Sequence, residues 1–89
     1  MSIVEETDVR GYLCGRFAEQ LAALGIAPGE EPDDLDLIAE GVTDSFGLLE
    51  LIGDLEARFG IELDFEDLDP EDLTRLGPFS RYVASRARG

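Results

Sequence analysis

Few side chains in this 89-residue chain could do chemistry, and the list is short because it holds neither histidine nor lysine. The residue that stands out is Ser45, in Thr43-Asp44-Ser45-Phe46-Gly47-Leu48-Leu49-Glu50-Leu51, at the mouth of an apolar helical pattern. A serine nucleophile needs a base and a group to orient that base, and the chain has no histidine or lysine to supply the base, so no catalytic residue is expected. Serine before a helix is among the preferred N-caps, which is the plain reading of Ser45. The competing reading is a modification site, since the positive end of a helix dipole and its free N–H groups favour a phosphate attached there. Spacing alone leaves both open. Cys14, the single cysteine, reads as a small core residue flanking an apolar stripe. Asp64, Glu66, Asp67, Asp69 and Glu71 resemble a calcium loop in composition only: Asp69 stands where the turn glycine belongs and Pro70 follows, so no metal site is expected.

These residues must be placed by helices. Val9, Leu13, Phe17, Leu21 and Leu24 recur at three- and four-residue steps, predicting a first helix from about Thr7 to Leu24 with Thr7 as N-cap and Gly25 as stop. Gly11 and Gly15 fall on the opposite face, each at a cost of roughly 1 kcal/mol relative to alanine. Pro28, Gly29, Pro32 and Gly41 break the pattern and predict a long loop from Gly25 to Thr43, pinned to the core by Leu35, Leu37, Ile38 and Val42. The second helix is the clearest: Leu48, Leu51, Ile52, Leu55 and Phe59 share one wedge about 100° wide, and Gly60 is its C-cap. Ile61-Glu62-Leu63-Asp64-Phe65 alternates like a strand, but with nothing to pair with it reads as an extended connector. Asp69-Pro70-Glu71-Asp72 marks the start of a short helix through about Thr74. Leu76-Gly77-Pro78 reads as another break. A last helix then turns Phe79, Tyr82, Val83 and Ala87 inward and Arg81, Arg86 and Arg88 outward. The expected fold is all-α: a small four-helix bundle with a long loop between the first and second helices and a short third helix, forming a single domain over residues 1–89.

Composition bounds the function. Hydrophobic residues make up 44% of the chain, enough for a core. Against 21 acidic residues stand 7 basic ones, a net charge of −14 that makes nucleic acid a poor partner. Acidic residues interrupt every apolar stretch, so no membrane span is expected, and the lone cysteine with no signal-like start predicts a cytoplasmic protein. The acid gathers around Ser45, at Glu50, Asp54 and Glu56 and through 62–72, a field that would steer basic partner surfaces toward that serine. Phe46 lies about 180° from the core direction, with Glu50, Gly53 and Ala57 beside it. It is either an exposed contact residue or folded back under the loop.

Gly41-Val42-Thr43-Asp44-Ser45-Phe46-Gly47-Leu48-Leu49-Glu50-Leu51, followed by Leu55-Glu56-Ala57-Arg58-Phe59-Gly60-Ile61, resembles the acyl carrier protein family, including peptidyl and D-alanyl carriers. The resemblance covers nearly the whole chain in order and length. It implies that Ser45 carries 4′-phosphopantetheine as a phosphodiester, installed from coenzyme A by a phosphopantetheinyl transferase, and that the arm's thiol holds a substrate as a thioester. Asp44 would support the transfer. Phe46, Leu49, Glu50, Gly53, Asp54 and Glu56 would form the partner face, and Cys14 would need no role. The implied partners are that transferase, adenylating or acyltransferase loading enzymes, and downstream synthases with basic docking surfaces; the carrier itself would be a monomer. Ser-Phe-Gly looks closer to D-alanyl and discrete aminoacyl carriers than to fatty-acid carriers. The implied function is a stand-alone carrier of an amino-acid-like or specialised acyl unit in polyketide, nonribosomal peptide or related biosynthesis. The alternative is a small acidic helical interaction module without a prosthetic group, in which Ser45 is only a cap.

Overall fold

The computed structural model describes residues 4–64, 66 and 68–87. Five helices appear among them: α1 (Glu6–Arg16), α2 (Ala18–Ala23), α3 (Ser45–Phe59), α4 (Pro70–Leu73) and α5 (Leu76–Ala87). The architecture is all-α, as the periodicity predicts, and among the described residues the only β-type pairing is one isolated bridge between Asp36 and Arg75.

The expected first helix is two helices. Glu5, not Thr7, is the N-cap of α1, and the Asp8 carboxylate reaches back to accept the Glu5 N–H at 2.9 Å. The ladder is interrupted at Phe17, whose φ of −106° and ψ of 24° leave the helical region two residues after Gly15, where helix propensity is poor. Phe17 N–H still reaches Leu13 O at 3.1 Å, Leu21 N–H reaches Phe17 O at 2.9 Å, and the Phe17 ring stays buried. The stripe therefore holds for Val9, Leu13, Phe17 and Leu21 but fails at Leu24, which sits at the C-cap after α2 has ended and is 43% exposed.

α3 buries Leu48, Leu51, Ile52 and Leu55 and ends where Gly60 adopts φ +64°, a left-handed C-cap that only glycine takes without strain. Phe59, expected in the wedge, is half-buried and meets Tyr12 edge to face, with centroids 6.3 Å apart. Arg58 lies over the Tyr12 ring, its guanidinium carbon 4.8 Å from the centroid, and Arg16 on α1 pairs with Asp54 on α3. An exposed cation–π contact contributes ~0.5–1 kcal/mol and an exposed ion pair about 0–1 kcal/mol. With Tyr12 beside Arg58 and Phe59 and Arg16 beside Asp54, α1 and α3 run antiparallel.

The long loop is held as expected, with Leu35, Leu37 and Val42 buried and Ile38 half-buried. It is also sewn to the far end of the chain through backbone groups. Leu37 N–H donates to Thr74 O at 2.9 Å, Leu76 N–H to Leu35 O at 2.9 Å and Gly77 N–H to Asp33 O at 2.8 Å. The Asp33 carboxylate then receives Arg10 from α1 at 3.0 Å and Arg81 from α5 at 3.2 Å. Asp36 is the second anchor, accepting from Ala39 N–H at 2.9 Å, Ile38 N–H at 3.0 Å and Thr74 Oγ1 at 3.0 Å.

Leu76-Gly77-Pro78 does not break the chain. These residues are the first turn of α5, where backbone N–H groups lack helical partners, so Pro78 forfeits nothing there. The expected short helix is α4, with Asp69 as N-cap and Pro70 in its first turn. α5 packs most closely on α1 among the helix pairs, its Gly77, Ser80 and Ala84 buried alongside Phe79 and Val83. Tyr82 points inward too, its hydroxyl donating to Asp64 O at 2.6 Å and accepting from Asp64 N–H at 2.7 Å, which anchors the extended connector. Ala87 is half-buried, and Arg81 and Arg86 face outward. Phe65, Asp67 and Arg88, which figured in the sequence reading, lie outside the described residues.

Candidate functional site

The loop hands over to α3 at Val42, whose side chain is buried, and at Thr43, whose N–H donates to Leu37 O at 3.0 Å. This fixes the start of α3 against the core. Asp44, with extended backbone at φ −116° and ψ −175°, is the N-cap: its Oδ1 accepts the Gly47 N–H at 2.8 Å, while its carbonyl accepts the Leu48 N–H at 2.9 Å. Ser45 is therefore the first helical residue and not the cap. The capping duty assigned to it by spacing belongs to its neighbour, another preferred N-cap type. With that duty removed, Ser45 is exposed and its hydroxyl makes no hydrogen bond among the described residues.

The other serines narrow the choice. Ser80 is fully buried, and Ser85 Oγ donates to Tyr82 O at 2.7 Å. Ser2 lies outside the described residues.

α3 is 15 residues long, so its aligned peptide dipoles place a partial positive charge beside Ser45. Asp44 satisfies the Gly47 N–H, which leaves the Ser45 and Phe46 N–H groups at the helix head for solvent or a ligand. An anionic phosphodiester on Ser45 Oγ suits this environment, being exposed, unhindered by an existing hydrogen bond and at the positive end of a helix.

The outward face of α3 divides into two parts. Phe46 is 79% exposed and Leu49 62% exposed, with exposed Glu50, Gly53 and Ala57 beside them. Phe46 does not fold back under the loop. Asp54 and Glu56 lie at the edges and have partners within the chain: Asp54 holds Arg16, and Glu56 Oε2 accepts the Leu63 N–H at 3.0 Å. The structure thus places Phe46, Leu49, Glu50 and Gly53 on one exposed face that starts beside Ser45, while Asp54 and Glu56 also hold Arg16 of α1 and the connector.

A groove of about 500 Å³ runs elsewhere, between α1–α2 and the segment after Gly25, with Gly11, Gly15, Leu21, Ile26 and Pro28 among its walls. Cys14 opens onto it, and burial together with the neighbouring Glu31 pushes the thiol up to about 11. Such a thiol is protonated and inert at neutral pH. Among the described residues no cluster of potential ligands could hold a metal ion, and no helix is long and apolar enough to cross a membrane.

The family model described as phosphopantetheine attachment site matches residues 12–83, which spans Ser45 and every helix either wholly or in part. The chain belongs to that family. Its members carry covalently attached 4′-phosphopantetheine and act as carriers, not as catalysts, handled by a phosphopantetheinyl transferase and by partner enzymes. No curated protein and no solved structure gives a significant match.

Sequence reasoning did not find the cap at Asp44 or the Arg16–Asp54 pair. Only the first carried a local signal, an aspartate three residues before a glycine at the start of an apolar helix.

Proposed function

We propose that Ser45 is the attachment point and that the protein is a carrier of an amino-acid-like or specialised acyl unit in natural-product biosynthesis. The observation that carries the reading is the exposed Ser45 hydroxyl, relieved of capping by Asp44, at the head of α3 in a chain of the phosphopantetheine attachment family. In the attachment step Ser45 Oγ bonds to the β-phosphorus of coenzyme A and the phosphoanhydride bond breaks. The 3′-phosphorylated adenylate half leaves, and the serine proton passes to a base of the transferase, this chain holding neither histidine nor lysine. Once attached, the group supplies a thiol that holds cargo as a thioester.

The chain's own residues do the rest. Asp44 Oδ1 is committed to the cap, which leaves its second oxygen beside Ser45 to support a Mg2+ ion during transfer. Phe46 and Leu49 offer an apolar contact to loading and downstream enzymes, and Glu50 and the surrounding net charge of −14 favour basic docking surfaces. The Ser-Phe-Gly sequence at 45–47 supports aminoacyl over fatty-acyl cargo, and the single cysteine supports a cytoplasmic setting. Incubation with coenzyme A, Mg2+ and a promiscuous phosphopantetheinyl transferase tests the reading by intact mass. One phosphopantetheinyl mass is expected on the wild type and none on Ser45→Ala. An unmodified wild type with active transferase refutes it and leaves an interaction module. Loading of the modified protein by adenylating enzymes compared with acyltransferases tests the cargo class.

A further inference from the structure

Gly47 follows Ser45 by two residues, and the space beside its α-carbon is occupied. A Cβ placed there would lie 2.0 Å from Thr43 Oγ1 and 3.4 Å from both Thr43 Cβ and Asp44 Oδ1. The first distance is far inside contact. A Cβ at Gly11, Gly15 or Gly53 would meet nothing within 4 Å; the other crowded helical glycine is Gly77 at the head of α5, against the Asp33 carboxylate. The Thr43 backbone is tethered through its N–H to Leu37 O at 3.0 Å, and Leu37 is itself bonded to Thr74 O at 2.9 Å, so relief of this contact falls to the half-buried Thr43 side chain. The side chain is β-branched and stiff about χ1, so an added methyl must drive it into another staggered well. The Asp44 carboxylate is in the same crowd, bonded to the Gly47 N–H at 2.8 Å and placed one residue before Ser45.

We infer that Gly47 is a positioning residue for attachment at Ser45: its missing side chain gives Thr43 the space in which the Asp44–Ser45 turn takes up its reactive geometry. The inference rests on Ser45 being the attachment point. Gly47 touches neither coenzyme A nor the reacting oxygen. It acts through Thr43 and Asp44, because a shifted Thr43 displaces the carboxylate and with it the serine hydroxyl that must meet the β-phosphorus.

The experiment measures kcat/KM for phosphopantetheine transfer by intact-mass time courses on wild type, Gly47→Ala, Thr43→Ala and the double variant, with melting temperatures for each. Gly47→Ala should slow transfer on the order of tenfold or more, within the range that a sub-ångström to 1 Å misplacement of a reacting group costs. Its melting temperature should not fall in step, because alanine is the better helix former. Removing the obstructing hydroxyl should rescue it, so that the double variant reacts at the rate of Thr43→Ala. Transfer to Gly47→Ala at the wild-type rate overturns the inference. So does a double variant as slow as Gly47→Ala, since the methyl would then be meeting the transferase directly. A loss of melting temperature that accounts for the slower transfer also overturns it. Should Gly47→Ala not fold, the double variant carries the test alone, and a rate below that of Thr43→Ala refutes the steric account. Failure of the attachment reading looks different, namely no mass gain on wild type or a gain that persists in Ser45→Ala.

Discussion

Asp44 Oδ1 accepts the Gly47 N–H at 2.8 Å and the carboxylate sits at the positive end of α3, so two substitutions can separate its cap from its charge. Asp44→Ala removes both. Loss of an N-cap acceptor costs ~1 kcal/mol, within a range of about 0.5–2, and loss of a favourable charge at a helix N-terminus adds about 0.3–1 kcal/mol at an exposed site. The expected total is about 1–2 kcal/mol. In a domain of this size 1 kcal/mol moves the melting temperature by roughly 4–8 °C, so Asp44→Ala should melt about 5–15 °C lower. Asp44→Asn keeps an equally good cap and gives up only the charge, about 0.3–1 kcal/mol or a few degrees. Transfer of phosphopantetheine should order the variants differently, because the free carboxylate oxygen beside Ser45 is lost in both and both should be slow. Thermal and urea unfolding give the first comparison, and an intact-mass time course gives the second. Asparagine as destabilising as alanine, or alanine with no loss of stability, would refute Asp44 as the cap of α3. Asparagine modified at the wild-type rate would refute a role for its charge in attachment.

The core and the docking face of α3 should respond oppositely: Leu55→Ala, at a fully buried position, should cost about 2–5 kcal/mol in urea unfolding. Phe46→Ala, 79% exposed, should stay within about 0.5 kcal/mol of wild type while weakening transfer to partner enzymes, read as a raised KM. With the Cys14 thiol pushed up to about 11 by burial and Glu31, only about one molecule in a thousand is thiolate at pH 8. A thiol reagent should therefore label the unmodified protein slowly and the phosphopantetheinylated protein quickly. The Asp36 carboxyl is held below the ordinary range, chiefly by the Ala39 N–H and then by Thr74 and Ile38, with Arg75 nearby. Its folded value is lower than its unfolded one, so it adds stability above about pH 4 that is lost as pH falls through the folded value. The stability gap between wild type and Asp36→Asn should accordingly narrow as pH is lowered from 5 to 3. A gap that widens would contradict the assignment.

The parts of the fold that sequence conveys are those where one face decides everything. The α3 wedge of Leu48, Leu51, Ile52 and Leu55 is buried as its spacing demands, and the Asp69-Pro70 signal starts α4. Sequence reading fails where a tertiary contact overrides a local pattern. Phe17 bends the first helix without leaving its stripe, and Leu76-Gly77-Pro78 begins a helix because its backbone is already held by Asp33 and Leu35. At the site, Ser45 was legible as a residue without a general base, but its relation to Asp44 was not. Two adjacent residues of preferred capping type cannot be ordered without the backbone angles that place Asp44 outside the helix. The acidic face was legible as charge and not as structure, since Asp54 and Glu56 answer to Arg16 and the Leu63 N–H, partners distant in sequence or across a turn.

The central claim is that the phosphodiester forms at Ser45. Fragmentation mass spectrometry of peptides from the protein modified with coenzyme A and a phosphopantetheinyl transferase locates it directly. The account predicts a single group on the peptide containing Asp44-Ser45-Phe46, with the site fragment assigning it to Ser45. A group mapped to Ser2, Ser85 or any other residue, with Ser45 bare, would contradict it.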